Sequence, residues 1–175
     1  MTNSIYHIPP GQRALKKSSG SSQDSASEMP PCAPKKEVFS ALFENLERVR
    51  AFVGQEAQDC CLDEAAQYAV QLAVDEAFSN IIEHAYGGES QEKIECTCQV
   101  TESGLVITLR DCGRPFNPAS IPTPDLEAEL EDRDIGGLGL YFIQQLMDEV
   151  EFTFAREPET GKYCNLLRMV KHKER

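Results

Sequence analysis

The sequence lacks several features that would assign it to a class at once. It contains no run of 18 apolar residues, and its first residues hold no apolar segment like that of a signal peptide. We therefore expect a soluble, cytoplasmic protein with no membrane partner. The 175 residues, of which 41% are hydrophobic, predict one folded domain with a substantial core.

Basic residues are few compared with acidic ones. Seventeen lysines and arginines stand against 29 aspartates and glutamates, and the formal net charge is −12. An acidic surface repels phosphate backbones, so we expect no direct nucleic-acid partner. The same charge means that an anionic ligand would need a metal ion or well-placed backbone amides.

Three further motifs are missing. The seven cysteines include no C-x-x-C pair and their number is odd. We therefore expect reduced structural thiols, with zinc ligation as the less favoured alternative. The sequence also contains neither G-x-x-x-x-G-K-[ST] nor a dinucleotide fingerprint, which argues against a P-loop or a Rossmann site.

Residues 1–36 are predicted to be a disordered tail, followed by a folded domain at 37–175. Six of the ten residues in "SSGSSQDSAS" are serine, and five of the ten prolines lie in this segment. Such a composition cannot bury enough apolar surface to offset the entropy of ordering. A phosphorylated or partner-binding arm is the functional alternative.

The remaining pattern predicts an α+β protein. Strands are expected at 37–43, 93–100, 104–111, 151–156 and 163–171, and helices at 44–58, 64–86 and 137–150. Asp63 is the expected N-cap of the second helix, and Gly87 and Gly88 its end. Helices placed between hairpins predict a two-layer α/β sandwich, a mostly antiparallel mixed sheet covered on one face by helices.

The second predicted helix carries one polar stripe on an otherwise apolar surface. Glu76, Asn80 and His84 recur every four residues, which places them on one side of the helix. A carboxamide oxygen can ligate Mg²⁺, and a carboxylate one turn away can accept a proton or orient a nucleophile. The alternative is an amphipathic helix with a solvated edge.

Two glycine-containing motifs follow. In "DCGRPFNP", Asp111 ends a strand and can accept a hydrogen bond from a ligand such as an adenine amino group. In "GGLGL", glycines open a helix whose free amides and dipole can hold phosphate. Taken separately, each motif has an alternative interpretation: an ordinary Asp-x-Gly turn for the first and a flexible connector for the second.

Together the motifs E-x-x-x-N-x-x-x-H, D-x-G-x-P-F and G-x-G resemble the ATPase superfamily of gyrase, heat-shock chaperones, histidine kinases and MutL. Within it, "LAVDEAFSNIIEHAYGG" and "GGLGLYFIQQLMDEVEF" are similar to the anti-sigma factor serine kinases. The resemblance covers residues 37–171 and implies a histidine-kinase-like ATPase fold.

The resemblance also implies roles for single residues. Glu76 would be the general base, Asn80 the Mg²⁺ ligand, and Asp111 with Gly113 the adenine contact, with ATP and Mg²⁺ as cofactors. Residues 117–135 would form the ATP lid. The implied ATP-binding set is Asn80, His84, Asp111, Gly113, Arg133, Gly137, Leu138, Gly139 and Asn165.

Two positions depart from the family pattern. Many relatives carry an arginine immediately before the last glycine motif, whereas Arg133 lies slightly upstream of it here. Asn165 stands where relatives often have threonine. Both departures concern contacts to the phosphates rather than the ability to bind ATP.

The function implied is that of an ATP-dependent serine-protein kinase that also sequesters a sigma factor. Its partners would be that sigma factor, an anti-sigma factor antagonist phosphorylated on serine, and a second copy of the chain in a homodimer. A non-catalytic ATP-gated binding protein and the catalytic domain of a histidine kinase are the alternatives. A carboxylate at Glu76 favours an enzyme, because nucleotide binding alone does not need a general base.

Overall fold

The chain forms one six-stranded sheet with helices on one face. The computed structural model describes residues 4–8, 33–118, 138–158 and 160–174. In chain order the elements are β1 (Ser4–Ile8), β2 (Lys35–Ser40), a 3₁₀ turn (Phe43–Asn45), α1 (Leu46–Asp59), α2 (Glu64–Asn80), a π-helical turn (Ile81–Ala85), β3 (Lys93–Val100), β4 (Gly104–Asp111), α3 (Leu138–Leu146), β5 (Glu149–Arg156) and β6 (Tyr163–His172). The strand order is β1-β5-β6-β4-β3-β2, and each neighbouring pair is antiparallel. The predicted α+β fold class is confirmed.

Alternation along β3 and β4 decides which face of the sheet is buried. Ile94, Cys96 and Cys98 are buried, as are Leu105, Ile107 and Leu109, while the residues between them are only partly covered. Successive strand residues point to opposite faces, so all six of these side chains lie on the face that the helices cover. The sequence predicted both strands with these bounds.

The helices supply the other half of the core. Val49 and Val53 of α1 and Val70 and Val74 of α2 are fully buried in the same cluster as the apolar residues of β3 and β4. Phe39 of β2 completes this end of the core. Apolar residues spaced three and four apart give each helix one continuous buried stripe, which explains why the helices lie against the sheet.

Helix α2 begins as predicted but ends differently. The Asp63 side chain accepts a hydrogen bond from the Ala66 amide at 2.7 Å and caps the helix. After Asn80, however, the predicted continuous α-helix gives way to the π turn, in which the Tyr86 amide donates to the Ile81 carbonyl five residues earlier at 3.1 Å. Gly87, with φ +76°, then reverses the chain.

Helix α3 is shorter than predicted and ends at Leu146. Its last turn is closed by the Lys171 ammonium group, which donates to the Leu146 carbonyl at 3.0 Å. The Asp148 amide then donates to the Val170 carbonyl of β6 at 2.9 Å, so the chain has already joined the sheet. None of the helices in the described residues is both long enough and apolar enough to cross a membrane.

The structure corrects part of the expected disorder of residues 1–36. Ser4–Ile8 form β1, which pairs with β5 at the edge of the sheet. A short segment rich in isoleucine and tyrosine favours strand conformation, and the edge of β5 offers backbone groups that need partners. β2 also begins at Lys35, two residues before the predicted domain boundary. Residues 9–32 lie outside the described ranges, and the tail assignment there stays a prediction.

The expectation of reduced thiols is wrong for one pair of cysteines. Cys112 and Cys164 are joined by a disulfide, whereas Cys60, Cys61, Cys96 and Cys98 are free. The pairing follows from the sheet: β4 and β6 bring Asp111 opposite Asn165, and the next position in the same register brings Cys112 opposite Cys164. Linear spacing could not reveal this, because 52 residues separate the two cysteines.

Candidate nucleotide site

A cavity of about 490 Å³ lies between α2, α3 and strands β4, β5 and β6. Its polar lining comes from Glu76, Asn80, Glu83, His84, Asp111 and Asn165. Its apolar lining comes from Ala77, Ile81, Ala85, Phe116, Leu138, Leu140, Phe142, Ile143, Phe152 and Leu167, with Gly139 at one end. A cavity with an apolar wall and a few convergent polar groups is typical of a small-molecule or cofactor site.

The predicted helix stripe forms one wall of this cavity. Glu76 and Asn80 lie on the last turns of α2, and His84 lies in the π turn that follows. All three side chains line the cavity, and the His84 side chain is exposed. The neighbouring Glu83, which the sequence analysis did not assign to the site, also lines it. A π turn presents more consecutive residues to one side than an α-helix does, and such turns occur often at functional sites.

Helix α3 begins directly against Glu76 and Asn80. A Cβ atom at Gly139 would lie 2.8 Å from Oε2 of Glu76 and 3.0 Å from Nδ2 of Asn80. Only glycine therefore fits at this position without displacing one of the two side chains. The close approach brings the carboxylate and the carboxamide next to the amides at the N-terminus of α3, which carry a partial positive charge.

The opposite end of the cavity is formed by a buried polar pair. Asp111 at the end of β4 and Asn165 on β6 face each other, and both are buried. Nδ2 of Asn165 donates to Oδ1 of Asp111 at 2.9 Å, and the Gly113 amide donates to the same oxygen at 2.9 Å. No donor among the described residues reaches Oδ2, so this oxygen is available to a ligand.

Burial changes the acidity of this carboxyl group. Desolvation raises the pKa of Asp111 above its ordinary value, while the hydrogen bonds from Asn165 and Gly113 oppose that rise. A buried carboxylate with one oxygen unbonded is stabilised when a further donor forms a hydrogen bond to that oxygen. The site is therefore suited to a ligand that presents an N–H group.

Asn165 also positions a segment that the sequence analysis did not assign to the site. Its Oδ1 accepts a hydrogen bond from the Phe116 amide at 3.0 Å, and its Nδ2 donates to the Arg114 carbonyl at 2.9 Å. The Phe116 ring lies 5.0 Å from the Phe152 ring, centroid to centroid, and both rings line the cavity. The motif D-x-G-x-P-F already contained Phe116, but Phe152 comes from a separate strand that only the fold brings near.

Gly113 has a packing role beside the adenine contact that the family resemblance implies and that stays a prediction. It is not among the residues that line the cavity. A Cβ atom there would lie 2.6 Å from the Ala85 carbonyl oxygen, and the adjacent Arg114 amide donates to that oxygen at 2.9 Å. The glycine thus lets the end of β4 approach the end of the π turn, which holds the two walls of the cavity together.

The predicted site residues fall into three groups. Glu76, Asn80, His84, Asp111, Leu138, Gly139 and Asn165 all line the same cavity. Gly113 lies behind it. Arg133 and Gly137 are outside the described residues, as is most of the predicted lid.

Metal binding by protein groups alone finds no support in the described part of the chain. No group of three or more His, Cys, Asp or Glu side chains there could hold a metal ion. Mg²⁺ does not require such a group, since it usually keeps several waters and takes one or two protein oxygens together with substrate phosphates. The Asn80 carboxamide beside Gly139 is an oxygen donor of this kind.

Comparisons with known proteins agree with the geometry. The sequence model of the histidine kinase-like ATPase domain matches residues 39–171. Serine-protein kinase RsbW of Listeria monocytogenes is 33% identical over 89 residues, which are 49% of this chain and 57% of that protein. Anti-sigma F factor of Oceanobacillus iheyensis is 31% identical over 118 residues, 66% of this chain and 76% of that protein.

A third relative matches the same share of this chain as the Listeria kinase does. Serine/threonine-protein kinase BtrW of Bordetella bronchiseptica is 27% identical over 86 residues, 49% of this chain and 61% of that protein. The chain thus spans little more than half the length of the two kinases.

Proposed function

Because the chain belongs to the histidine kinase-like ATPase domain family, we propose that its cavity binds Mg-ATP and that the protein is a serine-protein kinase. One observation carries the proposal. Glu76 and Asn80 meet the N-terminus of α3 at Gly139, in the same cavity as the buried carboxylate of Asp111. A general base, a metal ligand, a phosphate-binding helix end and a base-recognition group are thereby combined in one site.

The adenine ring is assigned to the Asp111 end of the cavity. Oδ2 of Asp111 is positioned to accept a hydrogen bond from the exocyclic amino group of adenine, and the Phe116 and Phe152 rings offer apolar surface to the base. Guanine carries a carbonyl oxygen where adenine carries the amino group, so it would meet the carboxylate unfavourably. This arrangement favours adenine nucleotides.

The phosphates are assigned to the opposite end. The backbone amides at the start of α3 are available to phosphate oxygens, because the first amides of a helix have no partner within the helix. Oδ1 of Asn80 is the protein ligand proposed for Mg²⁺, and the remaining ligands would be phosphate oxygens and water. Bound there, Mg²⁺ would offset the negative charge of the phosphates.

Glu76 is the proposed general base. Its carboxylate lies beside Gly139 at the phosphate end, where it can accept the proton of a serine hydroxyl. As that proton moves to Glu76, the serine oxygen forms a bond to the terminal phosphorus of ATP. The bond between this phosphorus and the bridging oxygen breaks, and ADP leaves with the electron pair.

The partners are proposed from the relatives and from the motifs. One relative is named anti-sigma F factor and others are named serine-protein kinases. We therefore propose that the protein binds a sigma factor, phosphorylates an anti-sigma factor antagonist on serine, and works as a homodimer in the cytoplasm.

The decisive experiment measures phosphotransfer and nucleotide binding separately. The purified protein is incubated with Mg²⁺, ATP labelled on the terminal phosphate, and lysate of its own organism, and the labelled proteins are identified. Glu76→Gln keeps the shape of the side chain but cannot accept the proton, so we expect about 10²- to 10⁴-fold slower transfer with Mg-ADP affinity nearly unchanged. Glu64→Gln, at the exposed start of the same helix, is the matched control and should transfer at the wild-type rate.

Two results would contradict the proposal. A wild-type rate of phosphotransfer by the Glu76→Gln protein would show that Glu76 is not the general base. Tight Mg-ATP binding without any labelled protein would instead favour a non-catalytic protein whose partner affinity is set by ATP.

A further inference from the structure

The Cys112–Cys164 disulfide lies next to the polar pair of the cavity. In the pairing of β4 with β6, Asp111 is opposite Asn165, and the next position in the same register carries the two cysteines. The covalent bond therefore joins the two strand ends that present Asp111 and Asn165. None of the roles proposed above uses these cysteines.

The two sulfur atoms lie outside the cavity. Side chains alternate between the faces of a sheet, so a pair that directly follows Asp111 and Asn165 points to the opposite face. Consistent with this, Nη2 of Arg110, which precedes Asp111, lies 3.6 Å from the Cys164 sulfur. Oxidation or reduction of the pair can thus alter the strand ends without blocking the cavity.

The two cysteines differ in access and in electrostatic surroundings. Cys112 is exposed, whereas Cys164 is buried beside the Arg110 guanidinium group. An exposed thiol can meet an external reagent, and a guanidinium group, although Glu157 and Glu95 share it here, favours a thiolate beside it. Cys112 therefore suits the attacking position and Cys164 the resolving position.

We propose that Cys112 and Cys164 form a reversible dithiol–disulfide pair whose oxidised state holds Asp111 and Asn165 in the arrangement that receives adenine. The thiol chemistry is independent of the function proposed above. The effect on nucleotide affinity rests on that function.

The oxidant required is a disulfide compound, RSSR. The Cys112 thiolate attacks one sulfur of RSSR, forms a mixed disulfide and releases RS⁻, which takes up a proton to become RSH. The Cys164 thiolate then attacks the Cys112 sulfur, forms the protein disulfide and releases the second RSH. Two electrons pass from the protein to RSSR, and the two thiol protons end on the two RSH molecules. An external dithiol reverses the sequence.

Reduction should loosen the Asp111 end of the cavity. Without the covalent bond, the strand ends are held by hydrogen bonds, among them those from the Gly113 amide to Asp111 and from the Phe116 amide to Asn165. Local opening then becomes more frequent, and both amides exchange their hydrogen atoms faster. A ligand that needs the closed arrangement must order it on binding, so we expect about three- to tenfold weaker binding of Mg-ADP in the reduced protein.

The experiment follows the full-length protein in mixtures of oxidised and reduced glutathione. Free thiols are trapped, and peptides cross-linked through Cys112 and Cys164 are quantified by mass spectrometry. Hydrogen exchange at Gly113 and Phe116 and calorimetry with Mg-ADP are recorded for both redox states. Cys61→Ser removes an exposed free thiol remote in sequence from the pair and should leave the redox response unchanged. Cys112→Ser should behave as the reduced protein in every mixture.

Each outcome decides one part of the proposal. A reversible cross-link with faster exchange and weaker Mg-ADP binding on reduction supports it in full. Absence of the cross-link in excess oxidised glutathione, or a cross-link that leaves amide exchange unchanged, overturns it. Equal Mg-ADP affinity in the two states, despite altered exchange, overturns the link to nucleotide affinity. If neither state binds Mg-ADP but exchange still responds, the redox pair is supported and the proposed kinase function is contradicted.

Discussion

Replacing Asp111 with asparagine changes one atom of the buried polar pair from a hydrogen-bond acceptor into a donor. Oδ1 can keep both of its contacts, since the Gly113 amide and Nδ2 of Asn165 each donate to that oxygen at 2.9 Å. The side-chain NH₂ group of the new asparagine then takes the place of Oδ2, which is the oxygen assigned to the adenine amino group. The folded structure should therefore persist while ligand recognition changes.

The expected loss follows from the type of hydrogen bond removed. A hydrogen bond to a charged acceptor contributes about 1.5–3 kcal/mol. Loss of that amount corresponds to roughly 10- to 150-fold weaker binding of Mg-ADP. The same substitution places a donor opposite the carbonyl oxygen of guanine, so discrimination between Mg-ADP and Mg-GDP should decrease by at least as much.

Calorimetry with both nucleotides measures this change directly. Asp59→Asn is the matched control, because it removes the same charge from an exposed position at the end of α1 that does not line the cavity. The control should retain wild-type affinity and wild-type preference for adenine. An Asp111→Asn protein that still prefers Mg-ADP to Mg-GDP as strongly as the wild type would refute the assignment of Asp111 to the base.

Three further outcomes are expected. Asn80→Ala should make nucleotide affinity less dependent on Mg²⁺, measured by titration with and without EDTA; unchanged dependence would exclude Asn80 as the ligand. Gly139→Ala should slow phosphotransfer about 10²-fold at a nearly unchanged melting temperature, because its Cβ atom displaces Glu76 or Asn80; a wild-type rate would show that the displacement is harmless. Burial raises the pKa of Asp111 from 3.8. The Asp111 carboxyl group therefore makes its full contribution to the unfolding free energy below pH 3.8, and this contribution is lost as the pH rises through the folded-state pKa. Asp111→Asn should remove this pH dependence from the unfolding free energy measured in urea, and superimposable curves would contradict it.

Sequence patterns that span only a few residues predicted much of the fold. Buried residues alternate along β3 and β4 as the sequence alternates, and Asp63 caps α2 through its own side chain. The polar stripe of α2 also reached the cavity, since Glu76 and Asn80 lie within one regular helix. These features depend on neighbours within a few residues along the chain.

Other features depend on distant parts of the chain and were missed for that reason. The edge of β5 lets Ser4–Ile8 form a strand inside a segment predicted to be disordered. The β4–β6 register brings together cysteines that linear spacing kept apart. The pair of aromatic rings that lines the cavity likewise consists of Phe116 and Phe152, which lie on separate segments. Hydrophobic periodicity carries no information about such pairings.

The composition of the cavity lining has a consequence for ionic strength. Glu76, Glu83 and Asp111 line it, and no lysine or arginine does so among the described residues. Dissolved salt screens repulsion between exposed like charges, so added salt should weaken the repulsion between an anionic ligand and the exposed carboxylate of Glu83. Most sites for anions show the opposite trend, since salt weakens attraction to lysine and arginine. The site should also discriminate against the free nucleotide tetra-anion, so the supply of divalent cations would control its occupancy alongside the supply of nucleotide.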